Sequence, residues 1–139
     1  MLGKLLFIQI YFGMLCRVRV FGLEEAENSP YNVFCFRIPA VVQTDSGVLL
    51  AFAEARINTC ADCAELGIAM RRSEDGGETW GNVTWPVPPI PTGPGYEMAR
   101  GGNPTVVFDS KRQNVVLHFN RGKECVLNNL PTLCFFLFN

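Results

Sequence analysis

The chain has 139 residues, 18% of them charged, and a formal net charge of −1. That length is one small domain or a piece of a larger one. The balanced charge argues against nucleic acid as a partner, because phosphate binding needs clustered Lys and Arg.

The predicted elements follow in chain order. Lys4 and the apolar run from Leu5 to Leu15 have the outline of a signal peptide, with Val20 and Gly22 small enough to precede a cleavage point. Arg17 and Arg19, between the run and that point, argue the other way. The run is too short to span a membrane. Residues 1–22 are therefore set apart as a signal peptide or amino-terminal extension, and residues 23–122 as the body of the domain. Val33 to Gln43 is extended in type, Thr44-Asp45-Ser46-Gly47 is a turn signal, and Val48 to Glu54 is a second strand, so the two runs read as a hairpin. A polar loop, Ala55 to Glu65, leads to a third strand at Leu66 to Arg72. Ser73 to Trp80 is dense in turn formers, and Asn82 to Val87 makes a fourth strand. Four short antiparallel strands in about 55 residues match one blade of a β-propeller. A Pro- and Gly-rich connection, Pro86 to Gly95, precedes a further hairpin, Thr105 to Asp109 with Asn114 to Asn120, which begins a second blade. Residues 123–139 break the pattern. Their CFFLF run carries no alternation and no charge, and reads as an atypical apolar tail with the look of a truncated end.

Six cysteines are present, and Cys60-Ala-Asp-Cys63 is a lone CxxC. It reads as a redox pair, half a zinc site, a loop disulfide or plain loop cysteines. A zinc site wants a second such pair. Asn82-Val83-Thr84 is a glycosylation sequon.

Three motifs then arrive in order. They are Phe36-Arg37-Ile38-Pro39 (FRIP), Leu50 to Arg56 (LAFAEAR), and Ser73-x-Asp75-x-Gly77-x-x-Trp80, the Asp-box pattern. Gly102-Asn103-Pro104-Thr105 follows. Together they resemble the first blade and the start of the second blade of the sialidases, over roughly Tyr31 to Arg121. The implied fold is all-β, an incomplete part of a six-bladed propeller. The implied activity is exo-α-sialidase: hydrolysis of terminal sialic acids from glycoproteins, glycolipids such as gangliosides, and oligosaccharides, without metal or organic cofactor. The implied partners are sialylated glycans. A secretory, lysosomal or membrane-associated location is expected, with the cytoplasm as the alternative.

The residues support that resemblance unequally. An arginine is costly to bury without a partner. Arg37 is therefore either a solvated edge residue or a guanidinium aimed to grip a carboxylate by paired hydrogen bonds, and the resemblance assigns the second role. Arg56 is either a solvated strand end or, as the resemblance implies, a residue lining the sugar site, and Glu54 faces the same two readings. Asp62 matches the family's loop aspartate, the general acid and base. Glu65 is its rival, and the flanking Cys60 and Cys63 are not usual there. Asn103 stands where the family often places a contact to sugar hydroxyls. Ser73, Asp75, Gly77 and Trp80 are structural. The nucleophile of sialidases is a tyrosine, and in the family it lies far downstream with its glutamate and two further arginines. Tyr11, Tyr31 and Tyr96 match no such position. Little or no turnover is therefore expected from this polypeptide alone. A non-catalytic sialic-acid-binding module, or an Asp-box interaction module, is the alternative.

Overall fold

The structure, a computed structural model, describes residues 8–12, 16–89, 100–122 and 132–138. The start of the apolar leader, the Pro- and Gly-rich connection from residue 90, Tyr96 and Cys125 lie outside them.

A hairpin of β1 (Ile8–Phe12) and β2 (Cys16–Phe21) comes first, then a single turn of helix, α1 (Leu23–Glu27). The backbone N–H of Gly22 donates to Glu25 Oε2 at 2.8 Å, which satisfies one of the open donors at the start of that turn. Next comes a four-stranded antiparallel sheet in chain order: β3 (Val33–Gln43), β4 (Leu49–Ile57), β5 (Leu66–Ser73) and β6 (Thr84–Val87). This is the expected blade, with the strands within a few residues of their predicted limits. A second sheet holds β7 (Arg100–Asp109), β8 (Asn114–Gly122) and β9 (Thr132–Phe138). The apolar run set apart as a tail supplies β9. Its backbone pairs with β8 from Val115 opposite Phe138 to Arg121 opposite Thr132.

β4 organises both sheets, and it is buried along its whole length. Side chains alternate across a strand, so its residues serve two cores. Ala51, Ala53 and Ala55 face a cluster with Val20, Phe21, Val33 and Phe36. The small alanines let the β1–β2 hairpin close on the blade. Leu50 and Phe52 face a second cluster with Ile68, Val87, Leu117 and Phe119, which joins the two sheets. The close approach needs glycine. A Cβ on Gly101 would stand 2.6 Å from Val87 Cγ1, and one on Gly102 would stand 3.0 Å from Glu54 Oε1.

The turn from Ser73 to Trp80 locks the far end of β5. Gly77 N–H donates to Ser73 Oγ at 2.8 Å, and Ser73 Oγ donates to Asp75 Oδ1 at 2.7 Å. Thr79 N–H donates to the Asp75 carboxylate at 2.9 Å, and Trp80 Nε1–H caps Gly77 O at 3.1 Å. Gly76 and Gly77 have φ of 71° and 97°, the left-handed region glycine enters freely. The Thr79 hydrogen bonds, then that of Ser73, hold the Asp75 carboxyl well below the usual carboxylate range. A depressed value stabilises the fold above the unfolded carboxylate range, and that contribution is lost as pH falls through the folded-state value. Ser73 is only 1% exposed. Ser73→Ala strands a buried Gly77 N–H, and chemical denaturation is expected to show a loss of about 1–3 kcal/mol.

Candidate active site

Arg37, Glu54 and Arg56 share one face of the blade. Arg37 on β3 lies directly opposite Glu54 on β4, and Cys35 lies opposite Arg56. Directly opposed residues point to the same side, as do residues two apart on a strand. So Cys35, Arg37, Glu54 and Arg56 form a contiguous patch. It continues the Leu50–Phe52 face toward β7.

The register slips by one residue between Arg37 and Ala40, where three steps on β3 oppose two on β4. This is a bulge, and Ile38 takes φ of 51° within it. A β-branched residue with positive φ is a strong outlier, and such strain costs about 1–3 kcal/mol and collects at functional sites. Pro39 lacks the N–H a regular ladder would need at that point. Ile-Pro thus interrupts the regular pairing immediately after Arg37, and it resumes at Ala40 opposite Phe52.

Residues 58–65 arch over the patch. Ile57 N–H donates to Glu65 O at 2.8 Å and closes the base of the loop. Asp62 reaches back from it. Its Oδ1 accepts from Arg37 Nη1 at 2.8 Å and from Arg56 Nη1 at 2.7 Å. Arg56 Nη1 also donates to Cys60 O at 2.8 Å. On its other side, Arg56 donates Nε–H and Nη2–H to Glu54 Oε2 at 3.0 and 2.8 Å. Glu54 Oε1 accepts the backbone N–H of Asn103 at 2.8 Å. One chain of hydrogen bonds therefore runs from Arg37 through Asp62, Arg56 and Glu54 to Asn103 on β7.

Burial grades this chain. The Arg56 and Glu54 side chains are each 4% exposed, whereas Asp62 is 79% exposed and Arg37 36%. Burial alone would lower the Arg56 value, but the hydrogen bonds to Asp62 and Glu54 outweigh it and raise it. The hydrogen bond and charge of Arg56, then the charge of Arg37, hold Asp62 below the usual carboxylate range. Asp62 is thus an ionised, accessible carboxylate on two guanidinium groups.

The structure brings together Arg37, Arg56 and Asp62. Asn103 joins through its backbone, at φ of 52°, and the residue is exposed. Glu65 enters the loop base through its carbonyl. Neither Arg56 nor Glu54 is the solvated strand end that the sequence left open, since both side chains are 4% exposed. The sequence did not show Glu54 as the buried hub; its i, i+2 spacing from Phe52 and Arg56 was the available signal. One participant lay beyond the sequence reading. Cys35 forms a disulfide with Cys60, 25 residues away, with Cα atoms 5.8 Å apart. Spacing alone carried no sign of that pairing. Arg71 belongs elsewhere: it donates to Val20 O at 2.7 Å and pairs with Glu25, tying the amino-terminal hairpin and helix to the blade.

A sialidase of Bacteroides fragilis is 33% identical to this chain over 90 residues, 60% of this chain and 16% of the relative. In sequence and in fold, this chain resembles the sialidases. The Hadza microbial sialidase Hz136 superimposes with a TM-score of 0.62 at 21% identity, over 78% of this chain and 24% of that one. The intramolecular trans-sialidase of Ruminococcus gnavus, solved with oseltamivir carboxylate, gives 0.53 at 27% identity, over 62% of this chain and 21% of that one. The chain thus spans under a quarter of each of these sialidases. No family model matches it. The mostly antiparallel β architecture is that of the sialidase propeller, of which this chain forms one blade and part of the next.

Proposed function

We propose that this chain supplies the amino-terminal part of an exo-α-sialidase site acting on terminal sialic acids of glycoproteins, glycolipids and oligosaccharides. The observation that carries the reading is the paired grip of Arg37 and Arg56 on one carboxylate oxygen, that of Asp62. Such geometry suits a carboxylate sugar, because guanidinium groups recognise carboxylates by directed, charge-assisted hydrogen bonds. The FRIP bulge aims Arg37, and the Asp-box turn holds the blade that carries it.

In this reading the sialic acid carboxylate takes Arg37 from Asp62. Asp62 then loses one cation and gains a nearby anion, and both changes raise its pKa. That favours the protonated form a general acid needs. In the complete site, Asp62 would give its proton to the glycosidic oxygen as the family's tyrosine forms a bond to the anomeric carbon and the glycosidic bond breaks. It later takes a proton from the water that attacks that carbon. Arg56, neutralised by Glu54, keeps Asp62 in place throughout. Among the described residues, Tyr31 does not take the place of the family's tyrosine nucleophile: it stands edge-on to Trp85, with ring centroids 4.8 Å apart, in the opposite core. Binding without turnover is expected of this polypeptide alone. The disulfide and the Asn82 sequon support a secretory route, where disulfides persist.

Oseltamivir carboxylate tests the reading by calorimetry. The chain is expected to bind it, and Arg37→Ala is expected to weaken binding at least about tenfold, the loss of one charge-assisted contact. Equal binding by both proteins would sink the assignment of Arg37. Release of fluorophore from a fluorogenic sialoside by the chain alone would overturn the absence of turnover.

A further inference from the structure

We infer that Cys35 and Cys60 are positioning residues, whose disulfide clasps the 58–65 loop to β3 and so sets Asp62 on Arg37 and Arg56. The inference rests on the reading of Asp62 and Arg37 given above. Cys35 is two residues before Arg37 on the same face, and Cys60 is two residues before Asp62 on the loop. A covalent bond therefore connects the strand that carries the carboxylate grip to the loop that carries the acid.

Two hydrogen bonds within the tip are local: Ala61 N–H donates to Thr59 Oγ1 at 3.3 Å, and Ala64 N–H donates to Ala61 O at 3.1 Å. Ala64 is its buried apolar anchor, while Ala61 and Asp62 are exposed. Asn58 turns the chain at φ of 59° and donates its N–H to Asn32 O at 3.1 Å. Asp62 is 79% exposed, so water screens its ion pairs with Arg37 and Arg56 from one side, and they hold the loop less firmly than a covalent bond does. The disulfide also fixes Cys60 O on Arg56 Nη1, so Arg56 is held from both ends. Pairing a strand cysteine with a loop cysteine narrows the loop's range of positions before any ligand arrives, and that lowers the ordering cost on binding.

The charged groups around Asp62 are Arg37 on β3, Arg56 and Glu54 on β4, and Glu65 on the loop itself. The test follows the Asp62 carboxyl carbon by NMR across an acid titration, in the oxidised chain and in Cys35→Ser/Cys60→Ser. The oxidised chain is expected to titrate below the usual carboxylate range, and the double variant closer to it, with circular dichroism unchanged. An unchanged Asp62 midpoint in a folded double variant overturns the clasp. Peptide mapping of the oxidised chain without reductant stands independently of any variant folding. Cys35 linked to Cys60 is expected there, and either residue found free or linked elsewhere overturns the proposal. Oseltamivir carboxylate binding to both forms separates this inference from the functional one. The ligand needs Arg37 and not Asp62, so failure to bind in both forms counts against the site's assignment, while a shifted Asp62 midpoint still supports the clasp.

Discussion

Glu54→Ala is expected to destabilise the chain by about 3–5 kcal/mol in urea denaturation, the cost of leaving a buried charge without its partner. Arg56 is the charge in question. Its side chain is 4% exposed, and Glu54 accepts two of its hydrogen bonds. The same substitution removes the acceptor for Asn103 N–H, which links β4 to β7 across the junction of the two sheets. Glu54→Gln separates the two effects, because its amide oxygen still accepts one hydrogen bond while the negative charge is gone. An intermediate loss is expected for it. A loss below about 1 kcal/mol for Glu54→Ala, the scale of an exposed ion pair, would mean that Asp62 and water carry Arg56 without Glu54.

The second large effect lies one step along the same face. Phe52 is fully buried among Leu50, Ile68, Val87, Leu117 and Phe119. Phe52→Ala is expected to cost about 3–5 kcal/mol, from lost burial and from the cavity left behind. The neighbours come from both sheets, so the cavity opens at their junction. Amide hydrogen exchange is expected to rise first in β7 and β8, with the Ser73–Trp80 turn protected. Uniform exchange across both sheets would contradict a junction role for Phe52. Because Phe52 and Glu54 share a face and a strand, their substitutions are expected to couple rather than add.

These outcomes mark what local pattern can and cannot say. The sequence by itself determined the strands of the first blade, because alternation and turn residues act over a few positions. It also determined the Ser73–Trp80 turn, whose glycines and short polar side chains bond within eight residues. Arg37, Arg56 and Asp62 were singled out through the family resemblance that the ordered motifs carry. Only the tertiary structure decided that these three share one hydrogen-bond chain, because strand register is set by pairing between distant segments. The same non-local pairing made Glu54 the buried hub, placed Cys35 against Cys60, and drew the apolar segment Thr132–Phe138 to the edge of β8. The backbone strain at Ile38 belongs here too: a branched residue enters the left-handed region only where the surrounding sheet holds it there.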